Sequence, residues 1–317
     1  MKRTADTDTA AASSTRALLK AGAARLERAG RERAWQEASW LLGRLMGAKP
    51  LDLRLENRFV PEPTAERFHS QIGARATGVP LQYLLGEAEF FGESFLVRPG
   101  VFIPRPETES VVEAFLAALG PLRARQARPL ALLDAGTGSG CIAITLARRL
   151  PPCVVTAVEV SCEALSVARA NILRHGVGGR IHLVRGRWLQ PIRGLYDAVI
   201  SNPPYIPTGR VEGLPVDVRQ EPRISLDGGT DGMRDLLQLL SEAPRALRPG
   251  GLLALECGEE QTGALVERAA AATWVETARP LRDLAGRPRG LLVERKKPDG
   301  RWTGSRQSEP INFPKEN

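Results

Sequence analysis

The chain has 317 residues, enough for about two domains, and its composition of 43% hydrophobic and 25% charged residues is ordinary for globular proteins and excludes a wholly disordered chain. Its longest apolar runs are far shorter than the roughly 18 residues that span a bilayer, so a transmembrane enzyme or channel is excluded. The formal net charge of +8 fits attraction to RNA, the ribosome or an acidic protein, and fits equally a set of solvated basic faces.

The N-terminal part is predicted to be helical after a short leader. Residues 1–15 carry charges of both signs and no apolar stretch, so we expect a disordered leader rather than a secretory signal. From residue 16 to about residue 80, apolar side chains recur at spacings of three and four, as at Leu18, Leu19 and Ala23. This pattern, interrupted by prolines, predicts a bundle of four or five short helices.

A hairpin and the start of a helix are predicted next. Residues 89–97 contain two short β-like runs around Gly92, which indicates a β-hairpin. We assign residues 81–105 to a hairpin linker that holds the domain boundary. Pro106 and Glu107 then suit the first turn of a helix, because proline lacks an N–H that would be unpaired there and a carboxylate is favoured at a helix N-terminus.

Strands and helices alternate beyond residue 129. Apolar runs predict strands at residues 130–133, 154–160, 181–184, 196–201, 252–256 and 291–294. Amphipathic segments between them predict helices at residues 141–150, 162–175, 231–247 and 259–272. This alternation predicts an α/β fold, a parallel sheet with helices on both faces. Residues 296–317 are polar and are predicted to form a loose tail.

The cysteine and histidine patterns predict no metal site. Cys141, Cys153, Cys162 and Cys257 form no C-x-x-C pair, which disfavours a zinc ribbon or a thioredoxin-like site. We expect reduced thiols in a cytoplasmic protein. With 3 histidines in the chain, a His-rich metal site is not expected either.

A glycine-rich loop and an acidic residue predict a cofactor site. The loop after the first strand of the α/β part consists of Gly136, Thr137, Gly138, Ser139 and Gly140. Glycines let a ligand approach the backbone closely, and the helix N-terminus behind them attracts anions. Glu159, about 20 residues later at the end of the second strand, suits hydrogen bonds from ribose hydroxyl groups. The combination indicates a dinucleotide or an S-adenosylmethionine site, the alternative being a tight turn and a surface acid.

Two further strand ends carry aromatic residues. Trp188 suits stacking on an adenine and suits equally a half-buried core position. The fourth strand is followed by Asn202-Pro203-Pro204-Tyr205, and open α/β sheets bind ligands at the carboxyl ends of their strands. Because the prolines remove backbone donors, this loop offers carbonyl acceptors, an amide side chain and an aromatic face. Such a surface suits a planar group that bears an NH2.

These motifs resemble those of a known enzyme family. The glycine loop, Glu159 and the Asn-Pro-Pro-Tyr loop are similar to those of class I S-adenosylmethionine-dependent methyltransferases that act on planar nitrogen. Within that group, the segment Ile103-Pro-Arg-Pro-Glu-Thr-Glu109 resembles the peptide chain release factor glutamine methyltransferases. The resemblance covers residues 16–295. It implies a seven-stranded Rossmann-like methyltransferase domain at residues 106–295, preceded by a small helical substrate-recognition domain at residues 16–80.

The resemblance also implies roles for single residues. Cofactor binding is assigned to the glycine loop together with Glu159, Trp188 and Asn202. Substrate binding, to the glutamine of a Gly-Gly-Gln loop in a release factor, is assigned to Asn202, Pro203, Pro204 and Tyr205. The family has an acid before the tryptophan that accepts a hydrogen bond from the adenine amine, whereas this chain has Arg187, which cannot accept one. From the sequence we therefore expect Arg187→Asp to tighten cofactor binding.

The implied reaction is a direct displacement at the sulfonium methyl group by the glutamine amide nitrogen. The Asn202 side-chain oxygen and the Pro203 carbonyl group would accept the two amide hydrogens, and Tyr205 would pack against the amide plane. These three are the predicted catalytic residues. Alignment is expected to supply most of the rate, and no metal or basic residue is needed in the attack.

Three alternatives stay open. An enzyme that methylates the amino group of adenine in DNA or RNA also needs a site for a planar NH2, and the basic charge is compatible with nucleic acid. A glutamine methyltransferase for a ribosomal protein would use the same chemistry. The third alternative is a binding module that keeps the cofactor fold without catalysis. The resemblance favours release factors as partners, with no membrane contact and no requirement for nucleic acid.

Overall fold

The computed structural model describes residues 14–283 and 285–298. The described residues divide into two compact units, one formed by residues 14–87 together with residues 215–220, the other by residues 88–214, 221–283 and 285–298. The predicted leader lies, up to residue 13, outside the described residues, as does the predicted tail from residue 299 on.

The first unit is helical, with helices α1 (Thr15–Arg28), α2 (Ala34–Met46), α3 (Pro50–Leu55), α4 (Glu62–Ala76) and α5 (Leu81–Leu85). Ser14 caps α1 by accepting a hydrogen bond from the backbone N–H of Ala17. The periodic apolar residues meet in one core that includes Leu19, Leu42 and Phe68. The predicted bundle is present, and α5 lies where the linker was predicted to begin.

A buried ion cluster links helices α2 and α4 to residues 215–220, which belong to the same unit although they lie far along the chain. Arg75 on α4 donates to both carboxylate oxygens of Glu37 on α2, at 2.7 and 3.0 Å, and to Asp217 at 3.2 Å. The side chains of Arg75 and Glu37 are 7% and 11% exposed. Burial alone would lower the pKa of Arg75, but the hydrogen bonds and charges of Glu37 and Asp217 raise it above its ordinary value. The guanidinium group therefore stays charged.

The second unit contains the predicted hairpin and helix start. The hairpin is formed by β1 (Glu87–Phe90) and β2 (Glu93–Leu96), with Gly92 at the turn at a φ of +73°. Helix α6 (Pro106–Ala124) begins at the proline, as predicted. The backbone N–H of Phe91 donates to Glu109 of α6 at 2.8 Å, so that the helix and the hairpin turn are tied together.

The remaining elements alternate as expected: β3 (Leu130–Ala135), α7 (Cys141–Arg149), β4 (Cys153–Glu159), α8 (Cys162–Arg174), β5 (Ile181–Arg185), β6 (Tyr196–Ser201), α9 (Thr208–Val211), α10 (Arg234–Ala246), β7 (Leu247–Glu256), α11 (Glu259–Ala270), β8 (Val275–Arg282) and β9 (Pro288–Arg295). Seven strands form one sheet in the order β5-β4-β3-β6-β7-β9-β8. The seven-stranded α/β architecture implied by the resemblance is confirmed.

The sheet is parallel as predicted except towards one edge, where one strand is antiparallel. Strand β9 runs antiparallel to both β7 and β8, and β8 was not predicted as a strand. Only five residues, 283–287, separate β8 from β9 along the chain, too few for the crossover that parallel strands need. Because most of the β8 side chains are not buried, its sequence shows no apolar run.

The topology places the first and fourth strands of the parallel part side by side. The chain runs outward from β3 through β4 to β5 and returns at β6 on the other side of β3. Two apolar clusters cover the two faces, with Leu132 in one and Leu133 in the other. The carboxyl ends of β3 and β6 therefore flank the point at which the strand order reverses, where open α/β sheets bind ligands.

None of the helices in the described residues is long and apolar enough to cross a membrane. All four cysteines are free thiols, and three of them are buried.

Candidate active site

A pocket in the second unit opens at the carboxyl ends of β3, β4 and β6. The residues that follow or end these strands line it: Gly136, Thr137, Gly138, Ser139, Glu159, Asn202 and Pro204. The segment before and within α6 and the start of α10 complete the wall with Phe102, Pro104, Thr108, Arg234 and Asp235. The pocket thus gathers residues from at least four separate stretches of the chain.

The glycine loop leaves no room for a side chain where it meets Trp188. Gly136 has a φ of +80°, and a Cβ atom there would lie 2.9 Å from the Trp188 ring. Glycine is required at this position by both the backbone conformation and the close approach. Gly140 does not line the pocket; it is the N-cap of α7, the helix that follows the loop.

Glu159 is held by the backbone of the loop that it faces. Its Oε2 atom accepts a hydrogen bond from the N–H of Gly138 at 2.9 Å, and its Oε1 atom accepts from the N–H groups of Val160 and Ser161 at 2.8 and 2.9 Å. These bonds fix the carboxylate at the pocket wall. Because Oε2 accepts only one of them, it retains a lone pair for a hydroxyl group.

Trp188 lines the pocket, and a hydrogen bond from its indole N–H group holds the ring in place. Its Nε1 atom donates to Oδ1 of Asp235 at 3.0 Å, and Arg187 donates to the same oxygen at 2.8 Å. Arg234 binds Oδ2 of Asp235 at 2.8 Å. The Asp235 side chain is completely buried. Arg187, which stands where an acid was expected, is therefore engaged by an acid from α10.

The Asn-Pro-Pro-Tyr loop presents its acceptors at the end of β6. Asn202 donates from Nδ2 to the hydroxyl group of Thr108 at 3.0 Å, and within the described residues no group donates to its Oδ1 atom or to the Pro203 carbonyl. Tyr205 donates through its hydroxyl group to Glu256 at 3.4 Å. Pro203 and Tyr205 are not themselves on the pocket wall, whereas Pro204 is.

The loop is fixed by close backbone contacts on its far side. The carbonyl group of Tyr205 accepts a hydrogen bond from Gln261 at 2.9 Å, and Ile206 pairs with Leu226 and Gly228 through its backbone. A Cβ atom at Gly232, where φ is +76°, would lie 2.2 Å from the Tyr205 carbonyl oxygen. Only glycine can occupy that position without moving the loop.

The Pro-Arg-Pro-Glu-Thr-Glu segment forms a second wall. Glu221, whose side chain is 1% exposed, accepts from the N–H of Ile103 at 2.9 Å and pairs with Arg105. Arg105 also lies over the Phe102 ring, with its guanidinium carbon 4.9 Å from the ring centroid. These contacts hold Phe102 and Thr108 at the pocket.

Sequence reasoning missed several residues of the pocket wall, among them Thr108 and Asp235, and also Glu256, which contacts Tyr205 behind the wall. Thr108 lies inside a segment that was singled out as a whole, and Glu256 ends a predicted strand beside the strand that precedes Asn202. An acidic residue at that end of the sheet is a signal by which Glu256 could have been found. No such signal marks Asp235, because acidic residues are common in the first turn of a helix.

Comparison with known proteins identifies the family. Residues 17–86 match the family model described as the PrmC N-terminal domain, and residues 94–214 match the methyltransferase small domain. A release factor glutamine methyltransferase of Moorella thermoacetica is 46% identical over 275 residues, covering 86% of this chain and 95% of that protein. The chain belongs to the release factor glutamine methyltransferase family. A family member from Thermosynechococcus vestitus is 40% identical, over 83% of this chain and 92% of its own length.

A solved structure supports the fold. The catalytic domain of hMettl16, in complex with the MAT2A 3′UTR hairpin 6, aligns with a TM-score of 0.53 at 16% identity, over 77% of this chain and 86% of that chain. At 16% identity this similarity shows a shared fold only. The family membership itself rests on the two relatives named above.

Proposed function

We propose that this enzyme transfers a methyl group from S-adenosylmethionine to the side-chain amide nitrogen of the glutamine in the Gly-Gly-Gln loop of peptide chain release factors. The observation that carries the proposal is Asn202, which is held by Thr108 so that Oδ1 is left as an acceptor beside a pocket of cofactor-binding type. The names of the relatives favour this function over adenine methylation, a ribosomal protein substrate or a module without catalysis.

The pocket residues fit the cofactor. Gly136 and Gly138 both have positive φ, which brings their bare backbone to the pocket, and Glu159 retains an acceptor for a ribose hydroxyl group. Trp188 offers a ring whose position is fixed by Asp235. S-adenosylmethionine, when bound, supplies a methyl group on a positively charged sulfur atom.

The protein's contribution is to orient a poor nucleophile. An amide nitrogen shares its lone pair with the carbonyl group, so it attacks only when its hydrogens are held by acceptors that enrich it in the transition state. Asn202 Oδ1 and the Pro203 carbonyl group are proposed to accept them, with the Tyr205 ring against the amide plane. The N–C bond forms as the C–S bond breaks, and the product nitrogen then loses a proton to water.

We further propose that the helical domain at residues 16–80 recognises the release factor in the cytoplasm, without nucleic acid. Every residue assigned to the cofactor lies after residue 100. Helical-domain residues expose large apolar side chains, which is typical of protein-docking surfaces: Trp35, Leu51, Leu55 and Phe59.

The substrate assignment is tested with labelled S-adenosylmethionine. We expect the enzyme to label a bacterial release factor, and we expect the label to disappear when the glutamine of its Gly-Gly-Gln loop is changed to alanine or asparagine. DNA, RNA and ribosomal protein serve as parallel substrates. Undiminished labelling of the altered factor, or preferential labelling of a nucleic acid, would contradict the proposal.

The position of Asp235 changes the expected effect of Arg187→Asp. Asp235 already receives four hydrogen bonds, two on each oxygen, from Arg187, Trp188 and Arg234. A second carboxylate at position 187 would remove one of these and add repulsion. We therefore expect a few-fold weaker binding of S-adenosylhomocysteine, a small effect because the Arg187 side chain is 44% exposed.

Calorimetric titration of the wild-type and Arg187→Asp proteins with S-adenosylhomocysteine checks whether the variant binds more weakly. Arg193→Asp, an identical charge change at an exposed position, is the control. Tighter binding by the Arg187→Asp protein would show that the adenine amine takes the new carboxylate as its acceptor.

A further inference from the structure

A polar side chain interrupts the buried face of helix α8. The other buried residues of this helix are apolar: Ala164, Val167, Ala168 and Ile172. Asn171 lies among them and is completely buried. A buried amide group destabilises a fold unless its donors and its acceptor find partners, so the partners of Asn171 indicate what an asparagine does at this place.

The Asn171 carboxamide joins two other elements of the second unit. Its Oδ1 atom accepts a hydrogen bond from the backbone N–H of Leu96 on β2 at 2.7 Å. Its Nδ2 atom donates to the carbonyl group of Leu96 at 3.0 Å and to the carbonyl group of Ser139 in the glycine loop at 2.8 Å. Because both amide hydrogens are used, a carboxamide rotated by half a turn would place its oxygen against two carbonyl oxygens. The orientation of the group is therefore fixed.

The two elements that Asn171 joins belong to two walls of the pocket. Ser139 lines the pocket itself, in the glycine loop. Residues 100–104, which begin four residues after Leu96, form part of the second wall. Three of them line the pocket: Gly100, Phe102 and Pro104. Asn171 and Leu96 are not lining residues, so Asn171 acts on the pocket only through the backbone of its partners.

Helix α8 also contacts both walls by packing. Val101 is completely buried in an apolar cluster with Val167 of α8. At the glycine loop, a Cβ atom on Gly140 would lie 3.4 Å from Ala168, so the loop backbone lies directly against the helix. Apolar contacts are not directional, whereas the hydrogen bonds of Asn171 require a defined distance and angle to each backbone segment.

We propose that Asn171 is a positioning residue that fixes the spacing between the glycine loop and residues 100–104, so that the cofactor meets both walls at the separation that it needs. The inference rests on the proposed function, since it takes this pocket to be the cofactor site. A cofactor that holds the glycine loop then also holds Asn171 and, through it, the backbone of Leu96. A change at Asn171 in turn weakens cofactor binding from outside the pocket.

Asn171→Asp tests the proposal because aspartate has nearly the same shape and keeps the oxygen that accepts from Leu96. Its second oxygen replaces the NH2 group and repels the carbonyl groups of Leu96 and Ser139. We expect the Kd of S-adenosylhomocysteine, measured by calorimetric titration, to rise about tenfold or more, since buried acceptors lose their donor. The KM for S-adenosylmethionine should rise with it, and kcat at saturating cofactor should change less than about threefold.

Gln126→Glu is the matched control. It makes the same exchange of an amide for a carboxylate, and it removes the hydrogen bond that Gln126 donates to the buried Asp197 at 3.2 Å. Neither residue lines the pocket. We expect this variant to lower the free energy of unfolding and to leave the Kd of S-adenosylhomocysteine unchanged.

Two results of this comparison would overturn the proposal. An equal rise in Kd in both variants would show that cofactor binding only follows the stability of the fold. An unchanged Kd in an Asn171→Asp protein that is folded by circular dichroism would show that the two walls keep their spacing without this residue.

Hydrogen exchange in the wild-type protein tests the same coupling without a variant. S-adenosylhomocysteine should slow the exchange of the Leu96 N–H, which donates to Asn171, several-fold more than that of the Ala131 N–H. Ala131 is the matched reference because its N–H also donates to a buried side-chain oxygen, that of Asp197 at 2.8 Å, and neither residue lines the pocket. Equal slowing at Leu96 and Ala131 would overturn the proposal whether or not Asn171→Asp folds.

These measurements are separate from the labelling of a release factor. A protein that labels no release factor, yet shows the weaker binding in Asn171→Asp and the slowed exchange at Leu96, would contradict the proposed function and support the role of Asn171. A protein that methylates a release factor, but whose exchange at Leu96 does not respond to S-adenosylhomocysteine, would support the proposed function and overturn the role of Asn171.

Discussion

Asn202→Ala is expected to lower turnover by roughly 10²-fold or more, as the loss of one polar contact to a transition state does. The variant removes the Oδ1 acceptor proposed to hold the substrate amide, and it leaves Thr108 without its donor. The binding of S-adenosylhomocysteine and the free energy of unfolding should change far less. The measurement is single-turnover methylation of a release factor, with the fold checked by circular dichroism.

Asn57→Ala is the control for this variant. Asn57 is exposed and accepts a hydrogen bond from the backbone N–H of Arg16 in the first unit, so it reports the cost of losing an asparagine outside the pocket. Near-normal turnover by Asn202→Ala would show that Asn202 has no catalytic role and is only a structural residue of the loop. A collapse of cofactor binding in parallel with turnover would assign it to the cofactor instead of the substrate amide.

Arg75→Leu is expected to lower the free energy of unfolding of the helical unit by about 3–5 kcal/mol, the usual cost of breaking a buried ion pair by removing one partner. The reason is that the buried Glu37 carboxylate loses its charged partner. Glu37 has an 11% exposed side chain and takes both of its hydrogen bonds from Arg75. Asp217 is less affected, because it is 29% exposed and Arg31 lies 3.8 Å from it.

Urea unfolding of three variants separates the charge from the packing. Arg67→Leu, on the exposed side of the same helix α4, should change the free energy of unfolding by less than about 0.5 kcal/mol. The double variant Glu37→Leu/Arg75→Leu should lose less stability than Arg75→Leu, because it leaves no unpaired buried carboxylate. A double variant as unstable as the single one would place the cost in lost packing.

Part of the fold was predictable because local sequence carries it. The spacing of apolar residues marks helices and strands, and proline at position 106 marks the start of α6. Strand β8 could not be predicted because a half-exposed edge strand has no apolar run. The antiparallel pairing of β9 with β8 depends on the short connection between the two strands and not on the residues of the strands themselves. The assignment of residues 215–220 to the helical unit has no sequence signal at all.

The family, the glycine-rich loop and the place of the Asn-Pro-Pro-Tyr loop could all be predicted from the sequence alone. The prediction was possible because motifs that directly follow parallel strands must meet at one edge of the sheet, so that order along the chain fixes place in the fold. Which side chains pair behind those motifs was decided only by the tertiary structure. Arg187 meets Asp235 across 48 residues and Asn202 meets Thr108 across 94. Such pairings depend on how the helices pack on the sheet, and no local pattern of residues encodes them.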